Sequence, residues 1–133
     1  MPEPRGRILI VDDELIVLEL LRLVLGGAGY EVVCCQGGHT ALTLLDQEHF
    51  DGILCDLSMP DLTGMDVHAR LREAGSPLAD RFIFLTGNVA DSGMAEFVAR
   101  CGAPCLTKPF NLDRLQTLVA ARFDPQPVGP ARR

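Results

Sequence analysis

Gly52-Ile53-Leu54-Cys55 is a short run that is apolar throughout, and Asp56 follows it at once. A strand of this kind belongs in a sheet covered on both faces, which is the usual state of a parallel sheet. The pattern repeats on either side. Ile8-Leu9-Ile10-Val11 ends in Asp12 and Asp13, Phe82-Ile83-Phe84-Leu85 ends in Thr86, and Cys105-Leu106 lies shortly before Lys108. If these runs are parallel strands of one sheet, the acids, hydroxyl and lysine gather along a single edge.

Longer segments with helical spacing separate the runs, and this alternation predicts βα units around a parallel sheet. Five units fit, with strands at 7–11, 31–35, 52–55, 82–86 and 104–107. The helices are expected at about 15–25, 39–48, 65–74, 91–101 and from 112 onward. Gly26-Gly27 should stop the first helix, and Asn111 should cap the last, with Phe110 packing on Leu115 as a hydrophobic staple. Ser58-Met59-Pro60-Asp61-Leu62-Thr63-Gly64 reads as a loop. The expected organisation is a disordered arm over 1–6, one domain over 7–123 and a flexible Pro-rich tail over 124–133. Only Glu19 and Arg22 interrupt the apolar residues of the first helix. A deeply packed core helix is the first expectation, and contact of its outer side with a partner helix or a second copy is the alternative.

At 133 residues and 47% apolar content, the chain suits one compact domain without disulfides or structural metal. Its net charge of −6 comes without a Lys/Arg cluster, so direct nucleic-acid binding is not expected. Met1 to Arg7 has no apolar stretch, which speaks against a signal peptide or membrane anchor and for the cytoplasm. The five cysteines fit a reduced compartment as small buried hydrophobes.

In open α/β sheets ligands bind beyond the carboxyl ends of the strands, where the strand order reverses. With the order 2-1-3-4-5 that point lies between strands 1 and 3 and brings Asp12, Asp13 and Asp56 together. Three crowded carboxylates repel one another, so a hard divalent cation is the natural way to keep them ionised, and Mg²⁺ suits best. Asp56 is then the candidate nucleophile for a phosphoryl group. Lys108 is the candidate counter-charge, Thr86 a hydroxyl that bonds phosphate, and Gly87 keeps the approach to Thr86 open. The plainer reading of Asp12 or Asp13 is a helix N-cap.

Val11-Asp12-Asp13-Glu14, Cys55-Asp56-Leu57-Ser58-Met59-Pro60-Asp61-Leu62-Thr63-Gly64, Leu85-Thr86-Gly87 and Thr107-Lys108-Pro109-Phe110 resemble the successive motifs of bacterial response-regulator receiver domains. The match runs in order from about 7 to 122. The resemblance implies a (βα)5, flavodoxin-like, doubly wound five-stranded parallel sheet. It also implies a two-component or phosphorelay role, in which a histidine kinase or histidine phosphotransfer protein passes a phosphoryl group to Asp56. On the same grounds Asp13, Asp56 and the Ser58 carbonyl hold Mg²⁺, Asp12 acts largely through water, and Lys108-Pro109 is cis. Such a domain catalyses only its own phosphotransfer and autodephosphorylation and is not otherwise an enzyme. A homodimer is a further expectation.

One position departs from the family pattern. Many receivers carry an aromatic residue three places before the lysine, and here Cys105 stands there. The switch set is therefore expected to be Thr86, Gly87, Cys105 and Pro109, with readout through the loop after strand 4 and helix 4. Ser58 and Asn88, two places after the aspartate and the threonine, should influence hydrolysis. A flavodoxin-like cofactor binder needs a phosphate-cradling loop where Asp12-Asp13-Glu14 would repel phosphate. An aspartyl phosphatase of the haloacid-dehalogenase type has its nucleophile after strand 1, which Asp56 does not match. The rival from another class is a constitutive interaction module with little phosphate-dependent output. The tail is too short for an output domain, so a stand-alone regulator and the receiver portion of a longer protein, such as a hybrid kinase, both stay open.

Overall fold

The computed structural model describes residues 5–87 and 92–123. Strands β1 (Arg7–Val11), β2 (Glu31–Cys35), β3 (Gly52–Asp56), β4 (Phe82–Thr86) and β5 (Cys105–Thr107) alternate with helices α1 (Leu15–Gly27), α2 (Gly38–Gln47), α3 (Gly64–Glu73), α4 (Ser92–Cys101) and α5 (Leu112–Phe123). All pairings are parallel and the order is β2-β1-β3-β4-β5, so the reversal falls between β1 and β3 as expected.

Side chains alternate across each strand and divide the core in two. Leu9, Val11, Ile53, Cys55, Phe82 and Phe84 pack with Val67 and Leu71 of α3 and with Ala41 of α2. Ile8, Ile10, Leu54, Ile83 and Leu85 pack on the other face with Leu18, Leu21 and Leu25 of α1 and Leu115, Val119 and Phe123 of α5. Every residue of β3 and β4 is buried, which explains why those runs carry no polar alternation.

Two expectations need correction. First, α1 runs through Gly26 and Gly27, and Gly29 is the residue with positive φ, +104°. Its N–H reaches the Gly26 carbonyl, and the Tyr30 N–H reaches that of Leu25, the paired bonds of a Schellman ending. Second, α1 is not deeply packed. One stripe is buried, while Leu15, Ile16, Leu20 and Leu23 remain 66%, 79%, 40% and 65% exposed. One element was not anticipated at all: the segment after α3 forms a short 3₁₀ turn (Pro77–Asp80) whose first N–H groups are partly met by the Ser76 hydroxyl, bonded by the Leu78 N–H. A single turn built from Pro and Ser has no helical period to reveal it.

The described residues begin inside the expected arm, where the Arg5 N–H bonds the Gly29 carbonyl and the Gly6 carbonyl accepts from Glu31. Residues 1–4 and the expected tail at 124–133 lie outside the described residues. The α5 cap is present, with the Arg114 N–H bonding the Asn111 side chain at 2.9 Å, and Phe110 packs in the cluster that holds Leu115. No described helix is long and apolar enough to cross a membrane.

Candidate phosphoacceptor site

Asp12 and Asp56 stand at the carboxyl ends of β1 and β3, adjacent in the sheet, and both are buried. Each closes a local turn. The Glu14 N–H bonds Asp12 Oδ1 at 2.9 Å, and the Ser58 N–H bonds Asp56 Oδ1 at 3.0 Å. Neither Asp12 nor Asp13 caps α1, because Glu14 occupies the cap position and its side chain makes no cap bond.

Lys108 reaches over this pair from the end of β5. Its Nζ lies 2.8 Å from Glu14 Oε1, 2.9 Å from Asp12 Oδ2 and 3.2 Å from Asp56 Oδ2. Its backbone N–H bonds the Thr86 carbonyl at 2.8 Å, which ties the lysine to the end of β4. The Lys108-Pro109 bond is cis, as the resemblance implied. Thr86 is buried at the end of β4, in register with Thr107. A Cβ on Gly87 would meet nothing among the described residues within 4 Å. Asn88 and the rest of the loop up to 91 lie outside the described residues.

The electrostatics are uneven. Burial pushes Asp56 up to about 6 and the Asp12 charge adds to it, while the Ser58 N–H and Lys108 pull the other way. Burial alone would lower Lys108, yet its contacts with Glu14, Asp12 and Asp56 raise it above the ordinary lysine value. Both lysine and carboxylates are therefore held in a site with more negative than positive charge.

Oxygens of Asp12, Asp13, Glu14 and Asp56 all come within 4.8 Å of one another. Asp12 Oδ2 is fully buried and has no aligned hydrogen-bond donor, since its contact with Lys108 is an ion pair without hydrogen-bond geometry. A set of four hard carboxylate donors that one lysine cannot neutralise fits a divalent cation of the Mg²⁺ kind.

Two residues of the site had no role assigned from sequence. Glu14 stood in a quoted motif, and its contact with Lys108 joins residues 94 apart, so no local signal announces it. Asp61 looked like an ordinary loop residue. Its carboxylate accepts the N–H groups of Gly38 and His39 at 3.1 and 3.0 Å, capping α2 from 22 residues away. The His39, Leu62 and Gly38 N–H groups hold it down at about 2. This clamp fixes the loop that follows Asp56. Gly64 completes it, because a Cβ there would lie 2.5 Å from the Asp56 carbonyl oxygen. Cys105 is half-buried at the start of β5, in register with Phe84 and packed at the margin of the α2–α4 core. Burial raises its thiol, so it behaves as a small apolar side chain.

The family model of the response regulator receiver domain matches residues 8–120. The chain belongs to the response regulator receiver domain family. It is a phosphoacceptor domain of two-component signalling. Over 115 residues this receiver is 37% identical to the regulatory protein AtoC of Escherichia coli, covering 86% of the chain and 24% of AtoC. It is 36% identical to the sensor histidine kinase RcsC of the same organism, covering 86% of the chain and 12% of RcsC. The chain thus spans a quarter or less of these two relatives. Among solved structures, the response regulator TrrA of Thermotoga maritima in complex with Mg²⁺-BeF superposes with a TM-score of 0.75 at 29% identity, covering 86% of this chain and 96% of that one.

Proposed function

We propose that this receiver takes a phosphoryl group from a phosphohistidine onto Asp56, within a domain spanning 7–123. An Asp56 oxygen forms the new P–O bond while the P–N bond to the donor imidazole breaks. The observation that carries this reading is the contact of buried Asp56 with Lys108, which also pairs with the fully buried Asp12 beside it. Lys108 balances charge on the phosphoryl oxygens, and the Thr86 hydroxyl donates to one of them once it is present. Asp12, Asp13 and Asp56, with the Ser58 carbonyl, are the residues that would hold Mg²⁺. When bound, the cation neutralises phosphoryl charge and lowers the repulsion among the carboxylates. Water at the same site returns the domain to its free form by autodephosphorylation.

The partners we infer are a histidine kinase or histidine phosphotransfer protein and a second copy of the chain, in the cytoplasm. Direct nucleic-acid contact is disfavoured by the net charge of −6. A constitutive interaction module is the less favoured reading, since the acids, hydroxyl and lysine are all present and only the position of Cys105 departs. Incubation with Mg²⁺ and a small phosphodonor tests the assignment by intact mass. The parent should gain one phosphoryl group and Asp56→Asn none. Equal gain by both would place the acceptor elsewhere.

A further inference from the structure

Residues 57–63 carry the chain from Asp56 to α3 without forming strand or helix, and Ser58 lies among them. Both ends of this loop are fixed. At its start the Leu57 N–H bonds the Leu85 carbonyl at 2.9 Å, and the Ser58 N–H bonds Asp56 itself. At its end Thr63 and Asp66 form a reciprocal cap on α3. In the middle the Met59 side chain is buried in the α2–α4 core, and the otherwise exposed Asp61 reaches across to the Gly38 and His39 N–H groups.

That reach constrains both loops. Helix α2 has Gly37 at its cap position, no side-chain cap of its own and no acidic residue in its first turn, so Asp61 supplies both the acceptor and the negative charge. A Cβ on Gly37 would lie 2.9 Å from Asp61 Oδ2, and one on Gly38 would lie 2.5 Å from Leu62 Cβ. Neither glycine has positive φ, so it is the close approach of the Asp61 loop that requires them. A cap alone would need only Ser, Thr or Asp at position 37. Drawing it from the loop after Asp56 ties that loop to α2 instead. The tie passes back to Ser58 through a stiff segment, because only Met59 and Pro60 stand between. Pro60 has its φ fixed, and Met59, which precedes a proline, is held to extended backbone.

On the reading that the Ser58 carbonyl is a ligand of Mg²⁺, we propose that Asp61 is a positioning residue for the cation, aiming that carbonyl through its clamp on the start of α2. Asp61 lies outside the group formed by Asp12, Asp13, Glu14 and Asp56 and acts only through the loop. Groups that orient metal ligands in this way are worth about ten- to a hundredfold in affinity. Coupling of this kind is reciprocal, so bound Mg²⁺ tightens the two N–H bonds at the start of α2 by the same factor.

Titration of the full chain with MgCl₂, followed by amide chemical shifts, reads cation affinity without any phosphoryl transfer. Asp61→Ala should weaken binding about tenfold. Asp61→Asn keeps one acceptor oxygen but no charge, and it should fall between Ala and the parent. Equal binding by Asp61→Ala and the parent would overturn the proposal. So would an Asn variant as weak as Ala, because that pattern marks a loss of charge and not of position. A second readout needs no variant. In the parent, saturating Mg²⁺ should slow amide hydrogen exchange at Gly38 and His39, and exchange there that ignores Mg²⁺ would also overturn the proposal. These failures leave the acceptor assignment standing, since it is read by mass gain at Asp56. A parent that binds no Mg²⁺ would instead remove the metal reading, and this proposal with it.

Discussion

The two edges of the sheet carry the same electrostatic motif, a single cation facing several carboxylates, with opposite consequences. At the amino edge, Arg7 pairs with Glu31 at 2.9 Å and with Glu48, donates to the His49 carbonyl at 3.0 Å and lies over the Phe50 ring. Those two carboxylates are 52% and 35% exposed. Water screens them, and the arrangement fastens strands and loops together. At the carboxyl edge, Lys108 faces Asp12 and Asp56, which are 0% and 4% exposed, with only Glu14 in solvent. Screening is lost there, and Asp56 is held near pH 6. Burial, more than the number of charges, separates a structural cluster from a reactive one.

The largest effect should come from removing the buried cation. Lys108→Met leaves Asp12 and Asp56 facing each other and should cost about 3 kcal/mol at pH 7, read by urea unfolding in the presence of a chelator. Part of that loss should return near pH 5, where Asp56 takes up a proton. A cost no greater at pH 7 than at pH 5 would remove the contrast between the edges.

Asp56→Asn should act in the opposite direction. The folded state binds the Asp56 proton up to about pH 6, whereas the unfolded chain releases it near 4. The folded state holds more protons between those values, so the parent's stability falls as pH rises through the window. The Asn variant lacks this loss. Without divalent cation its advantage should be absent below about pH 4 and reach about 2.7 kcal/mol above pH 7. A pH-independent difference between the two melting curves would show that the site does not disfavour the charge.

Arg7→Gln should have the smallest effect, at most about 1 kcal/mol and shrinking with added salt, because its partners are screened. A salt-insensitive loss as large as that of Lys108→Met would make the two edges equivalent.

The order of the elements was legible because it rests on local periods. Arg7–Val11, Glu31–Cys35 and Phe82–Thr86 have the bounds that their apolar runs and flanking residues led one to expect. The acids, hydroxyl and lysine were legible for a related reason, since each lies at or just beyond a strand end and the sheet order does the rest. Residues whose roles depend on distant partners were not. Asp61 caps a helix that precedes it in the chain, and Glu14 meets a lysine 94 residues away. The end of α1 was misjudged because Gly26 and Gly27 carry the composition of a stop without its backbone, which appears at Gly29.

By itself, then, the amino-acid sequence determined the alternation of strand and helix and the chemical groups at each strand end, since period and composition act over a few neighbouring residues. Tertiary structure alone decided which carboxylates lose their water, which oxygen of Asp12 goes without an aligned donor, and which side of α1 stays exposed. Burial and geometry are properties of packed neighbours, and those neighbours come from across the chain.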